Sequence, residues 1–392
     1  MNKQSFSFII GGILFLIIAM GISRFAYTPI LPLMKDEIGF TAKTAGYLAS
    51  SNYVGYLAGA LLASIIRGNK KRILLWNVAI NIFSILFMGV SDDIIIWFIL
   101  RLVAGFTSGF IFVLTSSIML DYLASKNLAP WSGLLYSGVG LGIVISGLFV
   151  PPLHSYFTWK GTWIGLGILT IVLGVIAITL WRNLHLTKHL ESLPEKNGTM
   201  NRYLPWLIVA YGLQGFGYIV TATFIVDIVH SIPSLQSFSS YTWVFVGLAA
   251  IPSTFLWISI MNKGNAIYSL CLAFILQFIG VILPVFSQSM FSIFMSAILF
   301  GLTFMGITTM STAYARQLSP TNSHKVIGII TSVYALFQMI GPSIAGSLAS
   351  YTGNYKLALL LAGSLEIVSI IILLVGKWST SKYQQTSLVT KA

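Results

Sequence analysis

Two arginines lie inside apolar segments of the sequence, where a permanent positive charge needs a compensating partner. Arg24 stands in GISRFAYTPILPLM, residues 21–34, and Arg101 opens RLVAGFTSG, residues 101–109. Placing a guanidinium in hydrocarbon costs from about 2.5 to 17 kcal/mol, depending on how far it can snorkel or draw in water. A guanidinium binds a carboxylate through two parallel hydrogen bonds. The chemistry indicated is therefore the binding of an anion.

The residues around Arg24 favour such a binding site. Tyr27 and Thr28 follow Arg24 at i+3 and i+4, so a helix would carry all three on one polar stripe. No acidic residue occurs at a similar depth in the same segments. A guanidinium cannot lose its proton, so it would lack a counter-charge within the chain. A carboxylate-bearing substrate would supply that charge.

Arg101 has a second, structural interpretation of equal weight. Gly105 and Gly109 share its helix face at four-residue intervals, and small residues at that spacing let helices pack closely. Arg101 could then donate to backbone carbonyls of a neighbouring helix. It could also snorkel toward Asp92 and Asp93.

The composition is that of a membrane protein. Of 392 residues, 56% are hydrophobic and 8% are charged. The net charge of +13 comes from basic residues in short gaps between apolar runs, which indicates membrane topology rather than nucleic-acid binding.

No Ser-His-Asp set, metal-ligand cluster or phosphate-binding loop stands out, so we expect neither an enzyme nor a metal or cofactor. The only cysteine, Cys271, excludes an intramolecular disulfide.

The elements that must position these residues are membrane-spanning helices. About twenty apolar residues cross a bilayer as a helix. Twelve runs of suitable length predict an all-α protein with twelve transmembrane helices. They lie near residues 8–34, 44–66, 73–90, 94–120, 131–153, 161–181, 204–227, 241–260, 265–286, 289–313, 325–348 and 356–377.

The distribution of basic residues predicts the orientation. Between the runs, sixteen Lys and Arg fall on the side of the amino terminus, and only Lys35, Lys43, Lys160 and Lys356 fall on the other. Cytoplasmic loops carry the excess of basic residues, so both termini are expected in the cytoplasm.

A polar gap at residues 182–203 divides the runs six and six. We therefore expect an amino-terminal six-helix bundle at 1–181, a cytoplasmic linker at 182–203, a carboxyl-terminal bundle at 204–377 and a cytoplasmic tail at 378–392. His185 and His189 in the linker have helical spacing, but nothing completes a metal site. Weak similarity between the halves, with Gly133 opposite Gly328, is typical of transporters whose substrate site lies between two repeats.

Three motifs resemble the major facilitator superfamily. ALFQMIGPSIAGSLASYTGNY, residues 335–355, looks like its eleventh helix, and RLVAGFTSG is similar to its fourth. GISRFAYTPILPLM, together with GFGYIVTATF at 215–224, resembles an uncharacterised bacterial branch labelled YbfB or YjiJ-like. The resemblance implies a monomer in the bacterial inner membrane that works by alternating access.

In that family, helices one, four, seven and ten line a central cavity. The resemblance and the helical spacing together predict the substrate-binding residues Arg24, Tyr27, Thr28, Arg101, Tyr136, Gln214, Tyr218, Thr221, Thr303, Met310 and Gln338. The family's matching arginine on the fourth helix is often tied to proton coupling, which is a further possible role for Arg101.

Few acids could carry a proton. Glu366 lies in the middle of the twelfth run, where an ionised carboxylate would be costly. Asp227 and Asp121 end the seventh and fourth runs, where an interfacial or capping role competes with coupling. Besides Gly105 and Gly109, close helix packing and bending are expected at Gly138, Gly142, Gly341 and Pro342.

The function expected from these features is secondary active transport of a small organic molecule. An anionic substrate, proton coupling and export are favoured. A multidrug/proton antiporter is the alternative within transport, and a non-transporting membrane receptor on the same fold is the alternative outside it. The expected partners are the substrate, protons and the lipid bilayer, without nucleic acid.

Overall fold

The structure, a computed structural model, describes residues 3–66, 68–182, 201–320 and 323–389. Within these ranges the protein is helical and contains no strand. The α-helices are α1 (Lys3–Leu16), α2 (Tyr27–Ile38), α3 (Ala42–Ile65), α4 (Lys70–Met88), α5 (Ile94–Ser125), α6 (Gly133–Leu180), α7 (Leu204–His230), α8 (Ser239–Lys263), α9 (Ala266–Phe286), α10 (Met290–Leu318), α11 (Ser323–Thr352) and α12 (Lys356–Val389). A membrane-spanning segment has to satisfy its own backbone hydrogen bonds, and these apolar runs do so as helices.

Polar caps determine where several helices begin. Thr41, Asn69, Asp93, Asn265 and Ser289 each accept a hydrogen bond from a backbone N–H in the first turn of the helix that follows. Such side chains satisfy amide groups that have no partner within the helix. The loops before these helices are therefore short, and each apolar run starts directly after its cap.

The first predicted span is not one regular helix. A π-helical segment, Ile17–Arg24, separates α1 from α2. Pro29 has no amide hydrogen with which to continue the regular ladder, and the amide of Thr28 bonds to the Phe25 carbonyl instead, at 3.2 Å. The widened turn places Arg24 at the point where the helix changes register.

Helix α6 contains the fifth and sixth predicted runs. Its backbone is non-helical at Thr158, with φ 61°. Leu153 packs against Gly165, although twelve residues of continuous helix would separate them by about 18 Å. The chain therefore folds back near Thr158, and α6 consists of two arms.

Within the described ranges, eleven segments are long and apolar enough to span a membrane, among them Lys3–Ile38, which joins α1 and α2, and Gly133–Leu180. The predicted second, third and fourth spans are α3, α4 and α5, and from α7 onward the helix and span numbers agree. The count of twelve and the cytoplasmic termini stay predictions. Most of the predicted linker lies outside the described residues, and the predicted tail begins as a continuation of α12.

The halves α1–α6 and α7–α12 meet along α3 and α11, α6 and α8, and α2 and α7. Glycines permit the first two contacts. Gly46 on α3 faces the backbone of Pro342 and Gly346 on α11, and Gly140 on α6 faces that of Gly247 on α8. A β-carbon at these glycines would collide with backbone atoms, so the helices approach as closely as their main chains allow.

The other glycines predicted for close packing also lie against neighbouring helices. Gly105 and Gly109 on α5 face the backbone of Asn52 and Tyr56 on α3. The remaining contacts join Gly138 to Ile13, Gly142 to Gly21, and Gly341 to Phe216 and Ile219. A role for these glycines in conformational change stays a prediction.

Candidate functional site

A central cavity of about 300 Å³ lies between the halves. The π-helical segment, α3, α5 and α6 form its wall on one side, and α7, α10 and α11 form the other. Of the predicted substrate-binding residues, Arg24, Tyr136, Tyr218 and Gln338 line it. These four come from the first, fifth, seventh and eleventh predicted spans.

Arg24 is 3% exposed and lies at this cavity without an acidic partner. Its Nη2 donates to Oε1 of Gln338 at 3.2 Å. Its guanidinium carbon lies 4.3 Å from the ring centroid of Tyr56 and 4.7 Å from that of Tyr53. None of the ion pairs among the described residues involves Arg24, and its Nε has no hydrogen-bond partner. The positive charge is thus held by an amide and two aromatic faces.

Gln338 connects the arginine to the opposite half. Because a guanidinium only donates, the amide oxygen of Gln338 must face Arg24, and its Nε2 is left to donate. That nitrogen lies 2.8 Å from the hydroxyl of Tyr218. Arg24, Gln338 and Tyr218 therefore form one hydrogen-bonded chain across the interface between the halves.

Arg101 does not line the cavity in this conformation, and its role in substrate binding stays a prediction. Arg101 is 1% exposed, and its Nη1 and Nη2 donate to the carbonyls of Ser23 and Arg24 at 3.1 and 3.5 Å. Its guanidinium also lies 4.6 Å from the centroid of the Tyr27 ring. Of the alternatives left open by the sequence, bonding to backbone carbonyls is the one observed, and it supports the irregular turn that carries Arg24.

Tyr27 and Thr28 also lie outside the cavity lining. The Tyr27 hydroxyl donates to the Ala45 carbonyl at 3.1 Å, and that of Thr28 donates to the Ala222 carbonyl at 2.6 Å. The expected stripe with Arg24 is broken because Phe25 and Ala26 form a turn between the π-helical segment and α2. Regular helical spacing does not hold across that turn.

Four further candidates from the second half are buried away from the cavity. Gln214 donates to Oε1 of Gln277 on α9 at 2.8 Å. Thr303 donates to carbonyls of its own helix. Thr221 and Met310 are buried, at 2% and 0% exposure. The surface of α7 and α10 that lines the cavity is therefore rotated from the one predicted.

Six of the sixteen lining residues that the sequence analysis missed are aromatic. Tyr211, Phe304 and Tyr334 join Tyr218 on the wall of the second half. Tyr211 and Tyr218 are seven residues apart on α7, a spacing that places side chains on one helix face. This signal was available, but aromatic residues at helical spacing are more often ordinary packing.

The end of the molecule predicted to face outward is closed by contacts between the halves. Lys35 at the end of α2 pairs with Oδ2 of Asp227 on α7 at 2.6 Å, and the hydroxyl of Tyr355 donates to the same oxygen at 2.5 Å. Burial and the neighbouring Asp227 raise the pKa of Tyr355, so this hydroxyl stays protonated. At the same end, Nε2 of His230 lies 2.7 Å from Oδ2 of Asp36.

The described residues form a depression toward the opposite end. This depression, of about 620 Å³ between α6, α8 and α10, shares Tyr136, Thr309 and Thr312 with the central cavity. It reaches Asn262 and Arg316, which lie near the ends of α8 and α10 predicted to face the cytoplasm.

The three candidate coupling acids are far from equivalent. Asp227 takes part in the outer closure, and Asp121 is half-buried near the inner end of α5. Glu366 is 0% exposed and lies against Gly217 on α7, and neither of its carboxylate oxygens has a hydrogen-bond partner.

A family model described as "Uncharacterised MFS-type transporter YbfB" matches residues 16–374. The chain belongs to this family. The major facilitator superfamily (MFS) fold expected from the motifs is confirmed, and so is the likeness to the YbfB branch. Transport is therefore the activity of the family to which the protein belongs.

Individual relatives agree with the family assignment. The chain is 22% identical to the hexuronate transporter of Bacillus subtilis (strain 168) over 400 residues, which cover 91% of each chain. A mutant of the nucleoside transporter NupG superposes with a TM-score of 0.76 at 14% identity, over 95% of this chain and 100% of that one. A bacterial homologue of the human lysosomal transporter Spinster, in an inward-facing and occupied conformation, superposes with a TM-score of 0.68 at 14% identity, over 98% of each chain. The structural likenesses show the fold alone.

Proposed function

We propose that this MFS protein is a secondary transporter of a small carboxylate-bearing anion. The observation that carries the proposal is Arg24, a buried guanidinium at a cavity between the halves, for which the described part of the chain supplies no acidic partner. A ligand carboxylate would bind it more strongly than the neutral amide of Gln338 does. The similarity to a hexuronate transporter agrees with this, because a hexuronate carries a carboxylate.

Ligand-induced thermal stabilisation of the purified protein tests this proposal. We expect a library of small metabolites to yield anionic hits that raise the melting temperature of the wild type but not of Arg24→Ala. Arg72→Ala is the matched control, because it removes a guanidinium from an exposed position at the start of α4. Anions that stabilise Arg24→Ala as much as the wild type would exclude this role of Arg24.

We propose proton coupling as the energy source, with Glu366 as the first candidate carrier. Its carboxyl group has no hydrogen-bond partner and lies against Gly217, which precedes the cavity residue Tyr218 in the chain. In proteoliposomes, we expect Glu366→Gln to bind the anion like the wild type and to lose accumulation driven by a pH gradient. Flux that ignores an imposed pH gradient in the wild type would exclude proton coupling. The direction of the pH gradient that drives flux would distinguish export, which we favour, from uptake.

Multidrug export is the second candidate, and the aromatic wall of the cavity favours it. A hydrophobic cation such as tetraphenylphosphonium distinguishes the two candidates. The anion proposal expects no stabilisation of the wild type by this cation, because Arg24 repels it. Stabilisation by several unrelated hydrophobic cations would favour multidrug export instead.

A further inference from the structure

The wall of the cavity on the second half contains four aromatic rings that share one orientation. The rings of Tyr211 and Tyr334 are stacked at 4.1 Å between centroids with an interplanar angle of 5°. Tyr218 lies 5.8 Å from Tyr334 at 6° and 5.7 Å from Phe304 at 2°. We call these four residues the ring column. Three different helices contribute to it, so local helix geometry alone does not explain the common orientation.

We propose that the transported anion is an aromatic carboxylate, whose flat ring packs parallel to the ring column while its carboxylate binds Arg24. This inference rests on the proposed function and names the substrate class within it. Aromatic rings attract one another in offset-stacked arrangements beyond the area that they bury. A wall of parallel rings therefore discriminates a planar ligand from a puckered one of equal size.

The charged site and the ring column are adjacent. Gln338 accepts from Arg24 and donates to Tyr218, so one amide group separates the guanidinium from a ring of the column. On the first half, the rings of Tyr53 and Tyr56 lie against the guanidinium. A ligand that reaches both sites must carry its carboxylate on the ring or within one or two bonds of it.

The size and polarity of the cavity agree with this class. A volume of about 300 Å³ is at the small end of the range for ligand pockets, which suits one or two rings. The Thr309 hydroxyl, which lines the cavity, donates to carbonyls of its own helix. Its oxygen is left as an acceptor, so a ring hydroxyl is accommodated.

The same walls disfavour a sugar acid. A hexuronate would place several hydroxyl groups against the faces of the ring column, which carry no hydrogen-bonding group, and burying an unpaired hydroxyl is costly. The inference thus separates two substrate classes that share the carboxylate. The relative that transports a hexuronate is only 22% identical, which leaves room for a different ring specificity.

Benzoate and cyclohexanecarboxylate test the inference, because they carry the same charge on a six-membered ring and differ in planarity. We expect the wild type to bind benzoate with a dissociation constant at least about tenfold lower, measured by calorimetry or ligand-induced stabilisation. Tyr334→Leu should bring the ratio of the two constants close to one, whereas Tyr334→Phe, which keeps the ring, should preserve it. The ratio is measured within each variant, so a general loss of stability does not imitate the result.

Each outcome has one meaning. Equal binding of the two acids by the wild type, or a ratio unchanged in Tyr334→Leu, overturns the aromatic class. If glucuronate and cyclohexanecarboxylate bind in an Arg24-dependent manner and benzoate does not, the aromatic class fails while the carboxylate proposal stands. If no carboxylate from the library binds, the proposed function itself fails. Should Tyr334→Leu not fold, Phe304→Leu provides the same comparison.

Discussion

At the scale of the residue, the environment of Arg24 determines what the cavity can bind. Its compensation consists of one neutral amide and the faces of two tyrosines. Cation–π contacts contribute about 0.5–1 kcal/mol each at exposed sites and about 2 kcal/mol or more when desolvated, whereas a guanidinium in hydrocarbon costs from about 2.5 to 17 kcal/mol. On the proposed function, an incoming carboxylate would complete the compensation, so ligand binding would also relieve this buried charge.

Two substitutions of Arg24 separate its charge from its shape. Arg24→Lys keeps the charge but loses the planar fork, so we expect the dissociation constant of the substrate anion to rise about tenfold. Arg24→Gln removes the charge, and we expect a rise of about a hundredfold or more. Calorimetry on purified protein measures both. Wild-type affinity in Arg24→Lys would mean that binding depends on the positive charge and not on the planar guanidinium.

At the scale of the element, the irregular turn of the first span is what brings Arg24 to the cavity. The chain passes from α1 through a π-helical segment into α2, and π-helical segments occur frequently at functional sites. Arg101 on α5 donates to the carbonyls of Ser23 and Arg24 at the end of that segment. The side chain that binds and the side chain that positions it thus come from different helices.

Arg101 is accordingly expected to act as a positioning residue. Arg101→Ala should lower both the melting temperature and the affinity for the anion, because two carbonyls lose charge-assisted hydrogen bonds worth about 1.5–3 kcal/mol each. Arg101→Lys, which can still reach one carbonyl, should recover part of the affinity. The ratio of affinities for benzoate and cyclohexanecarboxylate should not change, because the ring column is untouched. A changed ratio would place Arg101 in contact with the ligand.

Pro29 provides a test of the turn itself. We expect Pro29→Ala to supply the missing amide and favour regular helix through residues 25–28, which would rotate Arg24 away from its present position. The melting temperature should stay the same or rise, because a regular hydrogen bond is gained, while anion affinity falls about tenfold or more. Binding equal to that of the wild type would show that Arg24 does not depend on this proline.

At the scale of the whole molecule, contacts between the halves concentrate at the end predicted to face outward. Lys35 pairs with Asp227 across the interface, and Tyr355 donates to the same carboxylate. Ser50 on α3 lies beside Ser343 on α11, with the hydroxyl oxygens 2.7 Å apart. Toward the other end, the described residues of α6, α8 and α10 line a depression. Transport by alternating access requires the outer contacts to break in each cycle.

A cysteine pair at these serines tests that requirement. We expect Ser50→Cys combined with Ser343→Cys to form a disulfide on mild oxidation, because the side chains are already in contact and a disulfide needs such proximity. Oxidation should stop transport in proteoliposomes, and reduction should restore it. Each single variant is a control for oxidation of the native Cys271, which is buried. Unchanged transport by the cross-linked protein would mean that the outer contact does not open.

The positions of the spans and the type of charge inside them could be determined from the sequence, because a bilayer imposes length and apolarity on every span locally. A resemblance of three motifs was sufficient for the fold.

The composition of the site could not be predicted in the same way. Of the eleven residues predicted for it, only Arg24, Tyr136, Tyr218 and Gln338 line the cavity. The contact between Arg24 and Gln338 joins residues 314 positions apart, and helical spacing within one span carries no information about such pairs. Arg24 and Arg101 look alike in sequence, yet one borders the cavity and the other supports the backbone of its neighbour. Only tertiary packing makes that distinction. The π-helical turn shifts the register of the first span. The approach of α3 to α11, and that of α6 to α8, decides which helix faces enclose the cavity.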